Sequence, residues 1–177
     1  MADAGENVWT VPVRLDAVPA HGREIKLVAD EEVRVTVARQ AGVRGLPRLE
    51  AHLELRPRGK DALHVIGEVS ATVEQTCSVT LEPVVNEVNE PVDVVFSDAP
   101  DPRHGLDEQG HIAGDGPEPL VGGAADLGAL AVEFLMLGID PFPRKPDAEF
   151  AAPKQEAGAD NPFAVLAGLK ARAGNKD

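Results

Sequence analysis

The chain has few aromatic residues: phenylalanine, tryptophan and tyrosine together make up 3% of its 177 residues, and tyrosine is absent. Its core must therefore be built from aliphatic side chains. It also lacks an excess of basic residues, since 17 lysines and arginines face 30 aspartates and glutamates, for a formal net charge of −13. This balance argues against a protein that coats nucleic acid or an anionic membrane, because both kinds of binding need positive charge.

Cysteine and long apolar runs are scarce as well. The single cysteine, Cys77, excludes an intramolecular disulfide and fits a reducing compartment. No run of 18 apolar residues predicts a transmembrane helix, and the acidic N-terminal sequence lacks the apolar core of a secretory signal. We therefore expect a cytoplasmic protein that does not bind membranes.

Several segments alternate between apolar and polar residues, as half-buried strands do. Residues 8–15, 48–56 and 62–76 show this period, and residues 78–96 predict one or two further strands. We expect the last segment to be interrupted near Pro83 and Pro91, and Gly67 to mark a β-bulge. Consecutive alternating strands with short turns predict an antiparallel sheet with one solvated face.

Two helices are expected beside this sheet. Residues 30–42 alternate like a strand, but Asp30 can cap a helix and Gly42 can end one, so we predict a short helix there. A second helix is predicted from a cap at Asp126 to about Gly138. The predicted fold is therefore α+β, an antiparallel β-sheet with two or three short helices.

The domain organisation follows from the composition along the chain. We predict one domain over residues 1–150, with an acidic flexible loop at 97–119, a linker at 151–160 and a short terminal helix at 161–173. The acidic excess lies in the second part of the chain. Residues 1–75 hold 12 acidic and 10 basic side chains, whereas residues 76–177 hold 18 and 7.

Three segments, in order and spacing, resemble the YceD family, the large ribosomal RNA subunit accumulation proteins, in their alphaproteobacterial form. The resemblance covers roughly residues 8–172 and is carried by Gln75–Pro83, by Asp126–Leu130 with Glu133 running into Asp140–Pro146, and by Asn161–Lys170. It implies a non-catalytic protein needed for accumulation of large-subunit (23S) ribosomal RNA. Many relatives have a second cysteine in a C-x-x-C arrangement, but this chain has Thr80 there, so a metal site built on such a pair is not expected.

Two groups of residues could carry chemistry by themselves. Cys77 could be a nucleophile or a metal ligand, but no base or ligand set is evident around it, and a small buried residue at a strand end explains it more simply. His104 and His111 lie among acidic residues, yet their spacing matches no metal motif and a solvated loop is the simpler interpretation. We predict no metal and no cofactor.

The segment from Asp140 to Pro146 is the main candidate for partner binding. Its prolines keep the backbone extended, which lowers the entropy lost on docking, and its candidate contact residues are Phe142, Pro143, Arg144, Lys145 and Pro146. Alternatively, the segment is a strap on the protein's own sheet, with Arg144 paired to an acid such as Glu133. In the terminal helix, Phe163 and Leu166 are further partner-binding candidates, because such a short helix needs a surface to pack on.

Three functions remain open from the sequence. The first is a ribosome-assembly factor that acts mainly through protein contacts, with a basic ribosomal or assembly protein as partner and RNA contacted only indirectly. The second is direct RNA binding through the sheet, with Arg48, Arg56 and Arg58 as possible contacts, although aromatic residues for base stacking are lacking. The third is an enzyme that uses Cys77, which no arrangement of residues supports.

Overall fold

Three long consecutive strands form the centre of the fold in this computed structural model, which describes residues 8–98 and 116–150. They are β3 (Gly45–Arg58), β4 (Ala62–Thr76) and β5 (Pro83–Ser97), and they pair antiparallel in chain order. The sheet continues with β2 (Arg23–Val28) beside β3, and with β6 (Glu118–Pro119), which pairs parallel to the end of β5. A separate two-stranded sheet joins β1 (Pro12–Arg14) to β7 (Ala124–Asp126).

The two predicted helices are present, which confirms an α+β fold. The first, α1, spans Glu31–Ala41, and the second, α2, spans Leu127–Gly138. At the start of α1 the carboxylate of Asp30 accepts a hydrogen bond from the Val33 N–H (2.9 Å), and Gly42 ends the helix in the left-handed conformation. Both helices contribute to a single core with one face of the sheet.

That core is aliphatic, as the composition predicts. The register places Leu49 opposite Ala71 and Ala71 opposite Val88, and all three side chains are buried. Trp9 and Phe96 are the aromatic side chains in the core of the described residues. From Leu49 in β3 and Leu63 in β4 onward, the odd-numbered residues thus face the core, while most of their even-numbered neighbours lie on the opposite, more solvated face.

Two details differ from the expectations. β5 runs without interruption through Pro91, because β6 pairs with it only at Phe96 and Ser97 and an edge strand tolerates proline. The register is continuous at Gly67, and the irregularity lies instead between Gly45 and Arg48. A Cβ at position 67 would meet the His52 carbonyl oxygen, so close approach of two strands explains this glycine.

The N-terminal segment is tied to α2 through Asp126. Its carboxylate accepts hydrogen bonds from the Gly128 and Ala129 N–H groups at the helix start and from the Val11 N–H (2.8 Å) across the structure. Gly128 permits this approach, because a Cβ there would lie 2.5 Å from the Trp9 carbonyl oxygen. One carboxylate thus caps a helix and holds a strand that is distant in sequence.

Removing this carboxylate should cost more than removing an ordinary helix cap. We expect Asp126→Ala to lower the free energy of unfolding by about 2 kcal/mol, because the cap and the Val11 hydrogen bond are lost together. The matched variant Asp30→Ala loses a cap alone and should cost about 1 kcal/mol. Urea unfolding of both variants measures the difference, and equal costs would show that the link to Val11 contributes nothing.

Candidate partner-binding site at the Cys77 turn

A tight turn connects β4 to β5 and exposes a leucine. The Cys77 N–H donates to the Glu82 carbonyl oxygen (2.8 Å), and the Leu81 N–H donates to the Cys77 carbonyl oxygen (2.9 Å). Leu81 adopts the left-handed conformation with a φ of 61°, which costs a non-glycine residue about 1 kcal/mol or more. Its side chain is 75% exposed. The hydrogen bonds of the turn thus hold a strained residue with its apolar side chain in solvent.

The strap, residues Asp140–Pro146, lies on this turn. The Pro143 carbonyl oxygen accepts two hydrogen bonds from Ser78, one from its N–H (2.8 Å) and one from its hydroxyl (3.0 Å). Pro143 itself is buried. The Lys145 N–H donates to the Cys77 sulfur (3.5 Å), and the Lys145 ammonium pairs with the Glu82 carboxylate (2.6 Å).

A buried glutamine fixes the beginning of the strap. The Gln75 side-chain amide donates to the Asp140 carbonyl oxygen (2.8 Å) and accepts from the Asn86 amide (2.9 Å). Gln75 is on β4 and Asn86 on β5, so the amide that holds the strap is itself held by the neighbouring strand. Both ends of the strap are therefore held by hydrogen bonds from the folded domain.

The middle of the strap is exposed between these anchors. The Phe142 side chain is 71% exposed, a high value for a phenylalanine, and Arg144 is exposed as well. Within the described residues Arg144 has no ion pair, so the expected alternative of an internal pair with Glu133 does not occur. Lys145 differs from Arg144, since Glu82 already compensates its charge. The arrangement offers an apolar ring and a guanidinium on either side of a fixed proline.

Cys77 lies beneath the strap, fully buried just after β4. The Thr80 hydroxyl and N–H, with the N–H groups of Lys145 and Val79, lower the pKa of its thiol to about 6, although burial acts in the opposite direction. The expectation of a small buried residue at a strand end is thus confirmed. The groups that lower this pKa are the Thr80 hydroxyl and backbone N–H donors, and not the base or ligand set that the sequence analysis looked for.

The pH dependence of stability tests this environment. A thiol whose pKa falls on folding stabilises the folded state at high pH, and this stabilisation is lost as pH falls through about 6. We expect Cys77→Ser to lower the melting temperature, and to lower it more at pH 8.5 than at pH 5.5, because serine does not ionise in this range. Thermal melts of both proteins at the two pH values measure this, and an equal loss at both would contradict it.

The arginines predicted to contact RNA lie at two ends of β3, with Arg48 near its beginning and Arg56 and Arg58 at its end. Arg48 and Arg56 lie on the solvated face of β3 eight residues apart, about 26 Å at ~3.3 Å per residue. Arg48 pairs with Glu87 on β5 (2.8 Å) and also donates to the Ser70 hydroxyl, and Arg56 pairs with Glu54 (2.6 Å). Arg58 is exposed at the end of β3 near Arg56.

Some predicted features lie outside the described residues. These are the two histidines of the acidic loop, most of that loop, the linker at 151–160, and Phe163 and Leu166 of the terminal helix. Within residues 8–98 and 116–150, no group of three histidine, cysteine, aspartate or glutamate side chains could hold a metal ion. No helix in the same ranges is long and apolar enough to cross a membrane.

Comparison with known proteins identifies the family through the region that contains this site. The family described as large ribosomal RNA subunit accumulation protein YceD matches residues 65–170, more than half of the chain. The chain belongs to the YceD family. The matched region begins in β4 and includes the Cys77 turn, β5, α2 and the strap, and the YceD description supports a role in ribosome biogenesis. Neither a curated protein nor a solved structure matches the chain.

Proposed function

We propose that this protein is a non-catalytic, cytoplasmic ribosome-biogenesis factor needed for accumulation of 23S ribosomal RNA, and that it acts mainly through protein contacts at the strap. The family description supports the role in accumulation of large-subunit ribosomal RNA. One observation carries the second part of this proposal: Phe142 and Arg144 are exposed on a segment whose backbone is already fixed by Ser78 and Gln75.

The chemistry of the strap indicates what a partner must offer. Because the backbone is held before binding, little conformational entropy is lost when a partner docks. Phenylalanine fits an apolar pocket, and arginine binds planar groups such as carboxylates in a two-pronged manner. The net charge of −13 favours rapid encounter with a basic protein, so a basic ribosomal or assembly protein with an acidic residue beside an apolar pocket suits this surface.

The other two functions have less support. RNA binding on the sheet face would use Arg48, Arg56 and Arg58, and the charges of the first two are already compensated by Glu87 and Glu54. An enzyme using Cys77 would need substrate access to a sulfur that is fully buried beneath the strap.

Charge reversal at Arg144 tests the proposal in cells that lack this protein. Such cells should contain less mature large-subunit RNA relative to small-subunit RNA, and the wild-type chain should restore the ratio. We expect Arg144→Glu to fail to restore it, because a guanidinium contact becomes a repulsion. Replacing an exposed, unpaired arginine changes stability by less than ~0.5 kcal/mol, so the variant should melt like the wild type.

Arg23→Glu is the matched control. Arg23 is exposed on β2, lies opposite Leu55 and is remote from the Cys77 turn, and its reversal changes the net charge equally. It should restore the RNA ratio. If both variants restore the RNA ratio at equal protein levels, Arg144 and the strap are not needed for the function. If the RNA ratio is unchanged in cells without the protein, the role in ribosome biogenesis is itself refuted.

A further inference from the structure

A second exposed surface carries arginines that are not neutralised by acids. It is a groove of about 490 Å³ between α1 and the beginning of β3. Three arginines line it, namely Arg34, Arg39 and Arg44, and they come from the helix and from the loop that follows it. Its apolar lining is formed by Val35, Ala38, Val43, Leu46 and Pro47.

The three arginines of this groove form no ion pair among the described residues, although the Glu74 carboxylate lies beside Gly45 in the groove lining. The Arg34 guanidinium donates to the Ala29 carbonyl oxygen (2.7 Å), and the Arg44 guanidinium lies 3.5 Å from the Thr76 hydroxyl, so neither contact removes charge. Arg39 is exposed. Within residues 8–98 and 116–150 no carboxylate lies within ion-pair distance of these three guanidiniums, although Glu31 also lines the groove. Arg48 and Arg56 on the sheet face, by contrast, each form an ion pair with a glutamate.

We propose that this groove binds the phosphate backbone of RNA. Three guanidiniums along one groove suit successive phosphates, which arginine binds through paired hydrogen bonds. The groove has no aromatic lining, so we expect binding without sequence preference. The choice of RNA over another polyanion rests on the proposed function. The groove itself lies outside residues 65–170, so the match to the family does not describe it.

Binding of a labelled single-stranded RNA oligonucleotide to the full chain tests this inference. Fluorescence anisotropy between about 20 and 200 mM salt should give a log–log slope near −2, because each of three phosphates contributes about −0.7. The double variant Arg39→Gln, Arg44→Gln should bind at least tenfold more weakly and reduce the slope to about −0.7. The double variant Arg48→Gln, Arg56→Gln removes the same charge from the sheet face and should bind like the wild type.

Several outcomes would overturn the inference. No RNA binding at the lowest salt would do so, as would equal weakening by both double variants, which would indicate a general charge effect. Tighter binding of a labelled polyglutamate peptide, with the same dependence on Arg39 and Arg44, would assign the groove to an acidic protein instead. Arg144 is intact in all these proteins, so a failure of the RNA-binding test refutes the groove proposal and not the strap proposal. A failure of the Arg144 test refutes the strap proposal, and RNA binding by the groove is then still decided by the anisotropy measurement.

Discussion

The two hydrogen bonds from Ser78 to the Pro143 carbonyl oxygen are the contact on which the candidate site depends. The strap contains three prolines, which have no N–H group, so it cannot form a strand or helix of its own, and its carbonyl groups need donors from elsewhere. Ser78 and Gln75 supply those donors from the sheet and the turn. With the backbone fixed in this way, Pro143 is buried while the side chains on either side of it, Phe142 and Arg144, remain exposed.

The arginines of this acidic protein fall into two groups, those paired with acids and those without an acidic partner. On the solvated face of the sheet, cross-strand and same-strand acids compensate Arg48 and Arg56, and exposed pairs of this kind contribute at most about 1 kcal/mol each. On the strap and in the groove beside α1, arginines have neutral partners or none within the described residues. The acidic total of the chain therefore conceals a groove lined by three arginines outside the family-matched region, and one exposed arginine, Arg144, on the strap inside it.

Local patterns made much of the fold predictable, and contacts between distant segments account for most of what was not. Asp30, Gly42 and Asp126 indicate the helix ends because capping is a property of neighbouring residues, and β4 is evident because its alternation persists along the strand. β2 was not predicted, since Ile25 and Leu27 are too few to make a short alternation stand out. The prolines and charges of the segment indicate Phe142 and Arg144 as candidate contact residues. The docking of the strap on the Cys77 turn could not be predicted, because Ser78 and Pro143 are 65 residues apart. The low pKa of the Cys77 thiol was not predicted either, because it depends on how the turn aims the Thr80 hydroxyl and backbone N–H groups at the sulfur.

Site-specific photocrosslinking in growing cells shows whether a basic assembly protein contacts the strap. A photoreactive benzoylphenylalanine at position 142 reports what contacts the strap, and the same group at position 121, where Val121 is 80% exposed at the far end of the sheet, reports random encounters. If a basic partner docks on the strap, position 142 should crosslink to a defined basic protein that co-sediments with precursors of the large subunit, and position 121 should not. Arg144→Glu should abolish these crosslinks. Equal crosslinking from both positions, or crosslinks from position 142 only to proteins absent from those particles, would contradict docking of such a partner on the strap.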